Sequence, residues 1–198
     1  MQKLKILIIG SGGREHAIGW KVAQSERAGE IFFAPGNAGT LEIGKNVDIK
    51  ATDINNLLEF AKKEKIDLTL ALPDDPLALG VVDLFKQNGF RIFGPTKQAS
   101  QIESSKAFSK DFMKRHKLPT AEFEVFDDFE KARIYTLEHS LPVVIKASGL
   151  ALGKGVIICK SYEEVEKALE DIMVKKVFGE AGDTVVIEEF LTGPEISA

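Results

Sequence analysis

The apolar run Leu4–Ile9 hands over directly to Gly10-Ser11-Gly12-Gly13, and that junction constrains the fold more than any other stretch. A near-continuously apolar strand must be covered on both faces, which is the situation of a parallel sheet. Glycines let the backbone turn tightly and approach a neighbour without a Cβ clash. The helix expected to follow places Arg14, Glu15 and His16 on its first turn. Backbone N–H groups there lack partners and carry partial positive charge, so the turn can hold a phosphate. A dinucleotide fingerprint is excluded twice. Glu15 stands where a small residue is needed, and the second strand, 30–34, runs into Pro35-Gly36-Asn37 instead of ending on an acid. Arg14 suits a compact phosphorylated ligand, although a glycine turn also serves simply to pack a helix against a sheet.

The rest of the first hundred residues continues the alternation. Helix is expected over 15–25, strand over 30–34 and 46–49, and a helix through Glu64 capped by Asp53. Strand follows over 68–72, helix over 77–88 closed by Gly89, and strand over 91–93. Loops beyond the carboxyl ends of parallel strands build the site in such sheets. Here those are 10–13, 35–39, 73–76 and 94–95, which should meet at one crevice.

Beyond Pro95 the pattern changes. Residues 96–104 and 106–116 read as two helices or one broken helix, stopped at Leu118-Pro119. Strands are expected over 122–126, 143–146, 156–159 and 184–189, with helices over 128–138 and from Ser161 through Met173. Ser161 and Glu164 have the spacing of a capping box. The segment 143–158 carries Lys146, Gly149, Gly153, Lys154 and Gly155. Three residues separate Gly149 from Gly153, where a P-loop has four, and a strand follows instead of a helix. A hairpin flap is the expected form, with backbone N–H groups and lysines able to close over phosphates; a solvated hairpin with a mobile tip is the plainer reading. Glu188 and Glu189 end an apolar strand, and Glu195 follows a turn. The exposed backbone of a strand end can bond an adenine edge, and Glu195 could accept from ribose hydroxyls.

Bulk properties exclude several classes. The chain has 198 residues, 28% of them charged, and a net charge of −4, which disfavours nonspecific nucleic-acid binding. Cys159 is the single cysteine, so neither an internal disulfide nor a cysteine-cluster metal site can form. No apolar run reaches the ~18 residues of a membrane span, and the first strand leaves no room for a signal peptide. A soluble, cytoplasmic protein is expected.

Seven motifs in order then carry a resemblance: G-S-G-G-R-E-H at 10–16, P-G-N at 35–37, P-x-x-P-L at 73–77, F-G-P at 93–95, S-K-x-F at 105–108, K-x-x-G-L-x-x-G-K-G-V at 146–156 and E-E-F-L-x-G-x-E at 188–195. The chain resembles the amino-terminal part of the phosphoribosylamine–glycine ligase (glycinamide ribonucleotide synthetase) family of the ATP-grasp superfamily. The resemblance implies an α/β fold: a parallel-sheet pre-ATP-grasp domain over 1–101, then an incomplete ATP-grasp domain over 102–198 with its small α+β lid at about 122–190. It implies ATP, with magnesium or manganese, and the substrates glycine and 5-phosphoribosylamine, with no nucleic-acid or membrane partner. By position, Lys106 and Lys146 would contact ATP phosphates beneath a flap containing Gly149, Gly153, Lys154 and Gly155. Glu188, Glu189, Phe190 and Leu191 would line the adenine slot, with Glu195 on the ribose. Gly10, Gly12, Gly13, Arg14, Glu15, Pro35, Gly36, Asn37 and Asp74 would help hold phosphoribosylamine.

Three departures stand out. Relatives usually carry Asp at Ser148, Gly at Leu72 and Glu at Asp74. Family members are also longer, with the metal-binding acid and amide residues in a carboxyl-terminal half that these residues do not include. An inactive fragment is therefore expected, with apolar surface and open sheet edges near its carboxyl end that promote self-association. The alternatives are a noncatalytic nucleotide- or metabolite-binding module, or a ligase of the biotin-carboxylase-like group; the 10–16 and 35–37 motifs argue against the latter.

Overall fold

The computed structural model describes residues 3–151, 153–194 and 196, and the chain divides into two compact units, 1–100 and 101–198. The first contains β1 (Leu4–Gly10), α1 (Gly13–Ala23), β2 (Ala28–Pro35), β3 (Lys45–Asn46), α2 (Ile54–Glu64), β4 (Leu68–Ala71), α3 (Asp74–Leu79), α4 (Val81–Gln87) and β5 (Ile92–Phe93). Its sheet runs β3-β2-β1-β4-β5, with every neighbouring pair parallel. The apolar character of β1 has a direct cause in this arrangement. Leu7 and Ile9 pack with Leu57, Val81 and Phe85 from α2 and α4, while Ile6 and Ile8 pack with Phe33 and Val22 on the opposite face. Side chains sealed this completely each contribute about 1.5–3 kcal/mol.

Two boundaries differ from expectation. The helix expected over 77–88 is split because Gly80 adopts a φ of +93°, which no α-helix passes through; α3 ends and α4 begins there. The strand expected over 46–49 is shorter and earlier, since only Lys45 and Asn46 pair with β2. Asp53 caps α2 as anticipated, accepting from the Asn56 N–H at 3.2 Å.

α5 (Lys97–Ser104) leads into the second unit, which holds α6 (Lys106–Arg115), β6 (Phe123–Phe126), α7 (Phe129–Leu137), β7 (Val143–Ala147), β8 (Val156–Cys159), α8 (Tyr162–Leu169) and β9 (Val185–Glu189). α5 and α6 are separate helices, divided at Ser105, whose extended backbone and side-chain bond to the Phe108 N–H make it the cap of α6. Only half of the expected capping box forms on α8. Ser161 Oγ accepts from the Glu164 N–H, but the Glu164 carboxylate reaches the Lys160 N–H instead of that of Ser161. Past Leu169 the helix widens into a π turn over Glu170–Val174.

The second sheet is antiparallel, in the order β6-β9-β7-β8. β9 is therefore an interior strand, and the open edge expected at 184–189 lies instead on β6 and β8. Apolar surface does remain near the carboxyl end, with Leu191 and Ile196 exposed. Val143, Ile145, Ala147, Cys159, Val185 and Ile187 form a core under α7 and α8. Among the described residues no helix is long and apolar enough to cross a membrane.

Candidate functional site

Strand pairing decides which side chains share the other face of the second sheet. Val144 faces Ile158 on one side and Glu188 on the other, while Lys146 faces Val156 and Val186. With alternate residues pointing to opposite faces, Val144, Lys146, Val156, Ile158, Val186 and Glu188 form one surface. Val156 and Ile158 are about half exposed and make an apolar ledge beside Lys146. α6 covers the remainder, bringing Lys106 and Lys110 to the same place.

Glu188 is the electrostatic centre. Its side chain is 5% exposed, and Oε2 accepts from Lys146 Nζ at 2.7 Å and Lys110 Nζ at 3.0 Å. Oε1 is buried and has no partner among the described residues. Lys106 Nζ donates to the Gly149 carbonyl at 3.1 Å. Burial, followed by the neighbouring Lys146 charge, lowers the Lys106 pKa against an opposing pull from Glu188. Three ammonium groups around one carboxylate leave a local excess of positive charge, the setting in which a polyphosphate binds.

The hairpin expected over 143–158 forms, with β7 and β8 antiparallel. Its base is tied down by Ser148 N–H to the Thr184 carbonyl at 2.9 Å and Gly149 N–H to the Ala181 carbonyl at 3.1 Å. Gly149 allows this approach, because a Cβ there would lie 2.7 Å from Ala181 Cα. Ser148 also anchors α6. Its carbonyl accepts from Lys106 N–H, and its hydroxyl accepts from Ala107 N–H at 3.1 Å. The flap base and the Lys106 helix start are thus one hydrogen-bonded unit. Gly153 and Lys154 sit exposed at the tip, and Gly155 closes the loop by accepting from Ala147 N–H.

The other expected strand-end residues divide. Glu189 lies on the opposite face from Glu188, where its carboxylate accepts from Glu122 N–H at 2.9 Å and pins β6. Glu188, Glu189 and Phe190 border a cavity of about 320 Å3 that also includes Glu122, Tyr135 and His139. Leu191 is exposed beyond the strand, and Glu195 lies outside the described residues. Lys110 escaped the sequence reading, although it stands one helical turn from Lys106 and so on the same face. Cys159 is fully buried, and burial pushes its thiol up to about 11, which makes it a core residue and not a nucleophile.

In the first unit the loops after parallel strands do meet. Gly36 N–H donates to the Gly10 carbonyl at 3.1 Å, and Asn37 Nδ2 donates to the Ser11 carbonyl at 2.9 Å. A Cβ on Gly10 would fall 2.8 Å from Pro73, and one on Gly94 3.0 Å from the Ala71 carbonyl. Glu15 is placed differently from the ligand-facing position expected of it. It is 3% exposed, with Oε2 accepting from Gly12 N–H at 2.7 Å and Oε1 from Arg14 Nε at 2.9 Å. Its carboxylate closes the turn from within. The Asn37 side chain is likewise engaged, bridging the Ser11 carbonyl and the Thr40 N–H. Gly12 and Gly13 are exposed, Arg14 keeps about half of its side chain in solvent, and Asp74 opens α3. Pro35 follows a cis peptide bond.

Comparisons with known proteins bear on the whole chain. Residues 4–103 match the model of the phosphoribosylglycinamide synthetase N domain, and residues 104–198 that of the phosphoribosylglycinamide synthetase ATP-grasp (A) domain. The phosphoribosylamine–glycine ligases of Haemophilus influenzae and Escherichia coli are each 55% identical over 98% of this chain and 46% of their own length. The chain spans about half the length of the curated relatives it matches. Among solved structures, the Thermotoga maritima phosphoribosylamine–glycine ligase superposes with a TM-score of 0.77 at 35% identity, covering 96% of this chain and 45% of that one.

Proposed function

The chain belongs to the phosphoribosylglycinamide synthetase family, and from that premise we propose that it carries the substrate-side and nucleotide-side elements of an ATP-dependent carboxylate–amine ligase. The reaction joins glycine to 5-phosphoribosylamine. A glycine carboxylate oxygen attacks the γ-phosphorus of ATP and ADP departs, leaving glycyl phosphate. The amine nitrogen then attacks the acyl carbon, inorganic phosphate leaves, the nitrogen loses a proton, and glycinamide ribonucleotide results. A carboxylate is a poor electrophile, so phosphorylation supplies its leaving group. Most of the remaining work is alignment and charge neutralisation.

The observation that carries this reading is the meeting of Lys106, Lys146 and Glu188 beneath a glycine hairpin in one unit. Lys106 and Lys146 take the phosphates, with Gly149, Gly153, Lys154 and Gly155 closing over them. The adenine ring lies on Val156 and Ile158, towards Glu188–Leu191. Oε1 of Glu188 is a buried acceptor waiting for a donor such as an exocyclic amine. Glu195 is assigned to the ribose. On the substrate side, the backbone of Gly10, Gly12, Gly13, Pro35 and Gly36, with Arg14 and Asp74, holds phosphoribosylamine, and Asn37 and Glu15 set the shape of those loops. A structural neighbour, a biotin carboxylase domain, was solved with MgADP, and a magnesium ion would supply charge neutralisation at the phosphates. Among the described residues no group of three or more His, Cys, Asp and Glu side chains is placed to hold a metal ion. The setting is cytoplasmic, with small molecules as the partners.

Calorimetric titration of ADP and ATP into the chain and into Lys146→Ala tests the nucleotide half. A charge-assisted contact of about 1.5–3 kcal/mol predicts a loss of roughly tenfold or more in affinity. Equal binding by both proteins removes Lys146 from the site, and absence of binding by the unaltered chain overturns the nucleotide reading.

A further inference from the structure

Glu188 Oε2 holds two lysines, but the two are held very differently. Lys110 has a 9% exposed side chain. Besides Glu188 it donates to Thr120 Oγ1 at 2.7 Å and to the Ala121 carbonyl at 3.5 Å, and its ammonium lies 5.5 Å from the centre of the Phe123 ring. Lys146 is 25% exposed at the end of β7, and Glu188 is its one ion-pair partner among the described residues. One cation is locked in place on four sides. The other is held by a single contact at the edge of the site.

A buried carboxylate left without a counter-charge is costly. If Lys146 alone neutralised Glu188, each transfer of that ammonium to a ligand phosphate would strand the carboxylate. A resident second cation removes this obstacle. We infer that Lys110 is a positioning residue that keeps Glu188 neutralised, so that Lys146 can be handed from Glu188 to the phosphates of an incoming nucleotide. The inference rests on the nucleotide reading above. Lys110 itself touches no ligand in this account; it acts through Glu188 on the availability of Lys146. Lys106, bonded to a backbone carbonyl and not to Glu188, stands outside the exchange.

The test compares ADP with adenosine, which lacks the phosphates, by calorimetry on the whole chain. In Lys110→Met, Lys146 becomes the sole ion-pair partner of Glu188 among the described residues, and ADP affinity should fall by about tenfold while adenosine affinity stays unchanged. Adding Glu188→Gln removes the trap, so K110M/E188Q should bind ADP within about twofold of E188Q alone, a coupling that a double-mutant cycle isolates. ADP binding by K110M equal to that of the unaltered protein overturns the inference, as does an equal loss for adenosine and ADP, which marks a purely structural residue. If K110M alone does not fold, Lys110→Gln takes its place in the same cycle. A tenfold gap between E188Q and K110M/E188Q would mean that Lys110 meets the nucleotide directly, and the inference fails. Failure of the unaltered chain to bind ADP strikes the nucleotide reading instead and is recognisable as such.

Discussion

Lys146 and Glu188 stand on neighbouring antiparallel strands two positions apart in register, so their 2.7 Å ion pair runs diagonally across the sheet. Residues in such a diagonal pair lie on one face by the pleat alone. The pair therefore ties the strand that enters the flap to the strand that leads to the carboxyl end. Ser148, two residues beyond Lys146, ties the same strand end to the first turn of α6. The tip and the base of the hairpin differ in what holds them. The base is held by four backbone groups and a hydroxyl, whereas nothing lies within 4 Å of a Cβ placed on Gly153.

That contrast predicts different outcomes at two glycines of one loop. At Gly149 an added methyl meets Ala181 backbone at 2.7 Å, and neither partner can rotate away. Gly149→Ala should cost about 1–3 kcal/mol in urea unfolding. Gly153 has open space but a φ of +75°, so Gly153→Ala should cost about 1 kcal/mol, from backbone strain alone. Equal stability of Gly149→Ala and the unaltered chain would show that the flap base is not packed as described.

Glu15 gives a second prediction. Its carboxylate satisfies Gly12 N–H at the start of α1 and holds Arg14 by Nε. Glu15→Ala leaves a backbone donor unpaired and should cost about 1–2 kcal/mol. Glu15→Gln retains one acceptor and should lose less. Unfolding curves for the three proteins check the order; a fully stable alanine variant would return Glu15 to the role of ligand contact.

Much of this was legible in the residues. Periodicity placed the strands, β3 apart, because apolar runs differ visibly from amphipathic helices, and caps such as Asp53 and Ser161 marked helix starts. The hairpin at 143–158 came from glycine and lysine spacing, whereas Lys106 was singled out only by the family resemblance. What was hidden depended on long-range pairing. That β9 is an interior strand follows from its pairing with both β7 and β6, the latter about 60 residues away in sequence, which no local pattern encodes. Glu15 reads as an exposed first-turn acid until the turn is seen to fold its carboxylate inward. Lys110 reads as a surface lysine because the carboxylate that buries it is 78 positions distant.

Lys106 supplies a pH test whose sign is fixed by its surroundings. Burial and the Lys146 charge disfavour its protonated form in the folded state, so its pKa lies below the ordinary lysine value of 10.5. Between the lowered folded value and the ordinary unfolded one, the unfolded chain binds more protons at this position, and stability rises with pH. Below the folded value the penalty for burying the ammonium is constant; above the unfolded value it has vanished. Subtracting the Lys106→Met curve from that of the unaltered chain cancels the other titrating groups to first order. The difference should therefore climb in the alkaline range short of 10.5, as measured by urea unfolding in steps from neutral pH upward. A flat difference would mean that Lys106 sits in water, away from Lys146, and a falling one that a carboxylate and not a second ammonium dominates its environment.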